Sequence, residues 1–209
     1  YIPNIDLASS FFVSDTITIP IELSFSLLGL SYFISQPLGL GIWLFYLLTV
    51  AERGLFDAVG IASSETLGWF SNPQAPYMTH QALGAMLMFA LFTLWKARSH
   101  LRRVFHKAFT GDRAIDDGDE ILSYRGAVFG MICGLIVMTV WLNATGVPLW
   151  AVPLFLVVAF LLFIVLTRIV VETGVALVQT PLIAPDVLMA GVGVSRLGEQ
   201  GLTGLAYTY

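Results

Sequence analysis

Long uncharged runs separated by short polar segments set the pattern of the chain. From Leu23 to Ala51, 29 residues pass without a formal charge, interrupted by Pro37 and by Gly39 and Gly41. As one straight helix this run would be ~43 Å long, well beyond the ~30 Å hydrocarbon core of a bilayer. The pattern therefore predicts two spans, about 17–34 and 38–56, with Gln36-Pro37 at the turn; the alternative is one tilted, Pro-kinked helix. A third span is expected over 77–97, through HQALGAMLMFALFTLW. From Gly126 to Thr167 there are 42 uncharged residues, broken at Asn143 to Pro148, which predicts spans over 125–143 and 148–168 around a tight turn.

The segments between these runs have distinct characters. Residues 1–16 are mixed and turn-rich and read as an interfacial lead-in. Residues 55–76 carry Asp57, Ser63, Ser64, Glu65, Trp69, Asn72 and two prolines, an amphipathic interfacial stretch with an aromatic anchor. The connection 96–124 is basic first (KARSHLRRVFHK) and acidic afterwards (Asp112, Asp116, Asp117, Asp119, Glu120). After Thr167 the chain stays apolar but is interrupted by Glu172, Pro181, Pro185 and Asp186. It is expected to continue the fifth span and then break, as irregular backbone at membrane depth does only where protein or a water-filled cavity covers it.

Composition agrees with this pattern. Of 209 residues 57% are hydrophobic and 11% charged, against roughly 25% charged in soluble domains. So few charges could not cover a soluble fold, and the expected class is all-α: a polytopic transmembrane helix bundle of about five spans in one domain, 1–209, with a broken or re-entrant C-terminal segment. The net charge of −4 matters less than where the basic residues lie. Six of ten, Lys96, Arg98, Arg102, Arg103, Lys107 and Arg113, fall in the 96–124 connection, which should be cytoplasmic. Arg53 then lies on the outer side, one charge against that orientation. The clustering is a topological signal and not a nucleic-acid footprint, although it could also bind anionic lipid headgroups. The chain begins at Tyr1 without Met and ends at Tyr209, soon after a Gly-rich stretch, so a piece of a longer polypeptide is expected.

Candidate chemistry is sparse. Ionisable residues in apolar segments are the first candidates, because each is costly unless paired. They are Glu22, after Pro20, and Arg168 with Glu172, spaced i and i+4. Arg168 and Glu172 can neutralise each other on one helix face near the cytoplasmic interface, and Glu22 can be solvated at the outer one. Gln179, Asp186 and the prolines around them could instead line a substrate path at a broken helix. Gly126, Gly130 and Gly134 form a double G-x-x-x-G at the start of the fourth span, which fits close helix packing inside one bundle or a homo-oligomer seam.

Other chemistries find no support. The single cysteine, Cys133, lies in an apolar run, so neither a disulfide nor a cysteine metal site can form within the chain. His80 lies at the outer end of the third span while His100 and His106 are in the basic connection, so no pair stands on facing spans to ligate a haem. There is no H-E-x-x-H, Walker A loop or nucleophile elbow. The expectation is a protein that is not an enzyme, with no metal or cofactor, whose partners are the lipid bilayer and other membrane helices or subunits.

The order of elements is more specific. It runs Pro-Ile-Glu-Leu-Ser-Phe (20–25), GIWLFYLL (41–48), an Ala-rich span leading to WKARSHLRRV, SYRGAVFGMICGL (123–135) and LTRIVVETG (166–174). This resembles a group of prokaryotic membrane proteins related to the oligopeptide transporter superfamily, over essentially the whole chain. The resemblance implies an inner-membrane secondary transporter for peptides or peptide-like metal chelates, working without ATP hydrolysis. It draws attention to Glu22, Tyr124, Arg125, Arg168 and Glu172 as positions, without assigning them roles. The competing expectation is a non-catalytic structural or accessory subunit of a larger membrane complex, packed through the Gly126/Gly130/Gly134 face.

Overall fold

The computed structural model describes residues 5–6, 18–19, 25–32, 34–61, 65, 67–68, 71, 75–111, 118, 120–174 and 178–209. Among them are seven α-helices: α1 (Phe25–Ser31), α2 (Gln36–Val59), α3 (Pro76–Thr110), α4 (Tyr124–Ala144), α5 (Ala151–Thr173), α6 (Ala184–Val192) and α7 (Val194–Ala206). Two short strands, β1 (Ile5–Asp6) and β2 (Thr18–Ile19), pair antiparallel. The fold is all-α, and α2, α3, α4 and α5 are long and apolar enough to cross a membrane.

Local chemistry explains most of the helix boundaries. The apolar run from Leu23 breaks between α1 and α2: Ser35 is extended at the N-cap of α2, and Pro37 sits in its first turn, where a missing N–H costs nothing. The expected span 17–34 is not found as one helix: Thr18–Ile19 form β2, where the β-branched run Thr16-Ile17-Thr18-Ile19 ahead of Pro20 favours a strand, and the helix described in that range is the seven-residue α1. Gly60 ends α2 in the left-handed conformation at φ 76°, with its N–H donating to Asp57 at 3.1 Å. The start of the expected interfacial stretch 55–76 is thus the last turn of α2, while Ser63, Ser64, Trp69 and Asn72 lie outside the described residues.

The largest departure from the sequence pattern lies in the basic connection. Residues 96–110 are not a loop but the second half of α3, a 35-residue helix ~52 Å long. The physical reason is that no Gly or Pro occurs from Ala85 to Thr110, and the segment is rich in Ala, Leu, Arg and Lys, all good helix formers. Gly111, at φ 70°, stops it, its N–H donating to Lys107 at 2.9 Å. The acidic residues Asp112, Asp116, Asp117 and Asp119 lie outside the described residues.

Contacts group the chain into two units, Tyr1–Leu83 with Leu166–Pro181, and Gly84–Val165 with Leu182–Tyr209. In the first, Phe56 of α2 meets Tyr77 of α3 edge to face at 4.6 Å, and Gly54 is buried. In the second, Val152, Phe155, Val158, Leu162 and Val165 form one buried stripe along α5, at the three- and four-residue spacing of a helix face. Leu142, Val147, Leu188, Leu197 and Leu205 are buried in the same unit. Beside that stripe α5 exposes Leu154, Val157 and Phe163, a surface suited to acyl chains and not to water.

The C-terminal segment breaks as expected, and glycines hold it close to the α4–α5 turn. A Cβ on Gly204 would stand 2.9 Å from the carbonyl oxygen of Thr145 and 2.9 Å from Val147 Cγ2, and one on Gly201 would stand 3.0 Å from Pro148. From the turn side, Gly146 at φ 105° would place a Cβ 2.9 Å from the Gln200 carbonyl oxygen. In lipid, where hydrophobicity does not drive helix association, such close backbone approach supplies the packing.

Candidate functional site

The two charges of the fifth span form a pair. Arg168 Nη2 lies 2.5 Å from Glu172 Oε1, one turn apart, with the side chains 45% and 48% exposed. They stand in the last two turns of α5, the most apolar of the four membrane-length helices, before Gly174 terminates it at φ 68°. The order of the pair does not serve helix stability. A carboxylate in the last turn faces the negative end of the helix dipole, and acid four residues before base is the better arrangement, each effect amounting to about 0.3–1 kcal/mol. Arg168 offsets the cost of Glu172 without making the sequence a good helix end.

The remaining site candidates are dispersed. Gln179 is exposed on non-helical chain after α5, followed by buried Thr180 and Leu182. Glu22 lies outside the described residues. Among the described residues, a Cβ on Gly130 or Gly134 would meet nothing within 4 Å, while one on Gly126 would meet Ser123 Oγ at 3.1 Å and Leu122 at 3.6 Å, at the start of its own helix. The buried position of that segment is Val128, 3% exposed, on nearly the opposite side from Gly130. His80 faces Glu65 at 3.8 Å, both exposed.

Tyr124 and Arg125 build the joint between α3 and α4. Arg125 Nε donates to the Ala108 carbonyl at 3.3 Å, placing a guanidinium at the C-terminal end of α3, where the helix dipole favours a cation. Tyr124 stands edge-on to His100 at 6.0 Å, with Lys107 Nζ 5.8 Å from its ring centre, and its hydroxyl donates to Glu120 at 3.3 Å. Ser123 caps α4 by accepting from the Gly126 N–H.

A buried polar arrangement at the C-terminal segment is only half legible in the sequence. Asp186, 3% exposed, accepts from the Tyr209 hydroxyl through Oδ1 and from the Ile183 N–H through Oδ2 at 3.3 Å. The second bond is the reach of an acidic N3 side chain back to its own helix start, signalled by Pro185-Asp186 after an apolar residue. Burial, and then the hydrogen bond and the charge of Asp186, hold the Tyr209 phenol well above its ordinary value. Asp186 is therefore a fastener of the C-terminal segment in this structure, with both oxygens engaged.

The basic half of α3 carries an open cleft of about 620 Å³ lined by Arg98, Ser99, Arg102, Arg103 and His106. No curated protein and no solved structure matches the chain. Residues 11–209 match the model of DUF6785, described as a family of unknown function, and with nearly the whole chain matched, the chain belongs to that family.

Proposed function

We propose that this membrane protein forms part of a secondary transporter for peptides or peptide-like metal chelates in a prokaryotic inner membrane, with the basic segment 96–124 on the cytoplasmic side. The observation that carries this reading is the Arg168–Glu172 pair at 2.5 Å in the most apolar span. A peptide offers one carboxylate and one ammonium. An arginine and a glutamate already paired can exchange partners with those two groups while no charge is left unpaired at any stage, which a low-dielectric path requires. Gln179, exposed on non-helical chain seven residues beyond Glu172, adds a polar group after the same span. The full order of motifs that resembles the oligopeptide transporter superfamily supports the same substrate class.

The test is accumulation of labelled di- and tripeptides and of a peptide–metal chelate by proteoliposomes holding the full-length protein. Uptake above protein-free vesicles, driven by an ion gradient, is expected; none for the whole panel under proton and sodium gradients would sink the proposal. One observation favours the alternative of an accessory subunit. The Gly130/Gly134 stripe lies open, as it would if another chain supplied the partner helix. A larger complex co-purifying with the chain, without transport by the chain alone, is the outcome that reading expects.

A further inference from the structure

We infer that the basic face of α3 formed by Arg98, Arg102, Arg103 and His106 is a binding site for the phosphate of an anionic phospholipid headgroup. Arg98, Arg102 and His106 follow one another at four-residue steps, and Ser99 and Arg103 form the adjacent row, so all five line the same cleft. All are exposed, and no ion pair among the described residues uses Arg102 or Arg103. Glu120, the described acidic residue that follows the segment, accepts from Tyr124 instead. The guanidinium groups of Arg102 and Arg103, with Arg98 beside them at the cleft wall, offer planar donor sets matched to phosphate oxygens.

Depth along the helix selects the source of that phosphate. The apolar half of α3, from Tyr77 to Trp95, covers ~29 Å, about the thickness of the hydrocarbon core. Trp95 ends it, an exposed ring of the kind that settles at headgroup level. Arg98 folds back onto that ring at 4.7 Å and donates to the Trp95 carbonyl at 2.9 Å. Arg102 and Arg103 then stand ~10 to 12 Å beyond Trp95 along the axis, within reach of the headgroup layer for long side chains. Phe92 and Trp95 are exposed on the membrane side of the same face, apolar rings between the arginines and the hydrocarbon core. A soluble phosphate would gain nothing from those rings, whereas a phospholipid offers its phosphate to the arginines and its acyl chains to the aromatics.

The test titrates the purified protein in neutral detergent with phosphatidylglycerol and, separately, phosphatidylcholine, reading lipid-bound species by native mass spectrometry. Phosphatidylglycerol should bind more tightly. Arg102→Gln should weaken it ~5-fold and Arg102→Gln with Arg103→Gln roughly 30-fold, with phosphatidylcholine binding unchanged as the check on folding. Arg196→Gln, an exposed arginine of α7, removes the same charge elsewhere and should leave the affinity as it was. Equal binding of the two lipids, or equal phosphatidylglycerol affinity in the double variant, overturns the site. Displacement of phosphatidylglycerol by millimolar inorganic phosphate overturns the lipid as its occupant.

Discussion

The hydroxyl of Tyr209 donates to the buried carboxylate of Asp186, joining the C-terminus to the first turn of α6 across 23 residues of chain. Tyr209 itself is 54% exposed, but its partner is 3% exposed, so the bond matters mainly through the oxygen it satisfies. Tyr209→Phe should therefore destabilise by about 1–3 kcal/mol, the cost of leaving a buried acceptor without its donor. Thermal unfolding in detergent measures it, and an unchanged midpoint would mean that water replaces the phenol freely.

The same bond has a pH signature. With the phenol held above its ordinary value of 10.0 in the folded protein, its contribution is fully present below pH 10 and is lost only as pH rises through the raised value. The difference in midpoint between the protein and Tyr209→Phe should be constant from pH 7 to about 10 and shrink above that. A difference that already falls between pH 7 and 9 would contradict the raised phenol.

Glycines give a contrast between two helices. Gly204→Ala drives a Cβ to 2.9 Å from the Thr145 carbonyl oxygen and should destabilise by roughly 1–3 kcal/mol. Gly130→Ala meets nothing and should be neutral or stabilising by up to about 1 kcal/mol, the gain in helix propensity. Loss of folded yield in Gly130→Ala would show that the stripe is occupied by a helix from another chain.

These contrasts mark how far the sequence could be read. The spans over 125–143 and 148–168 are legible because their apolar runs are as long as a bilayer is thick and a Gly-Val-Pro turn separates them. The helical second half of α3 is not, because a run of charges looks alike in a solvated loop and on a solvated helix; the missing Gly and Pro were the better guide. A G-x-x-x-G repeat announces that close approach is allowed, not that it occurs, and the close contacts fall at Gly146, Gly201 and Gly204. The Asp186–Tyr209 bond spans too much chain for any local pattern to reveal, although the capping half of Asp186 was written in Pro185-Asp186. Arg168 and Glu172 were legible as a pair because i and i+4 on a helix fixes their distance.

Orientation is open to direct labelling. With Cys133 replaced by Ala, single cysteines at Ser99→Cys and Gly118→Cys should resist a membrane-impermeant thiol reagent in intact cells and react after permeabilisation. Six of the ten basic residues lie in this segment, which sets the expected side. Reaction in intact cells would invert the topology.

The proposed role of the charge pair is tested most directly by uptake into proteoliposomes holding the full-length protein or its variants Arg168→Ala, Glu172→Ala and the double variant, with folded yield measured in parallel. A paired site predicts that each single deletion, which leaves an uncompensated charge in an apolar helix, costs folded yield and uptake more than its share of the double deletion. The double variant should fold nearly as well as the unmodified protein and still fail to transport, because no group remains to receive the peptide termini. Unchanged uptake per folded molecule in all three variants would contradict the account.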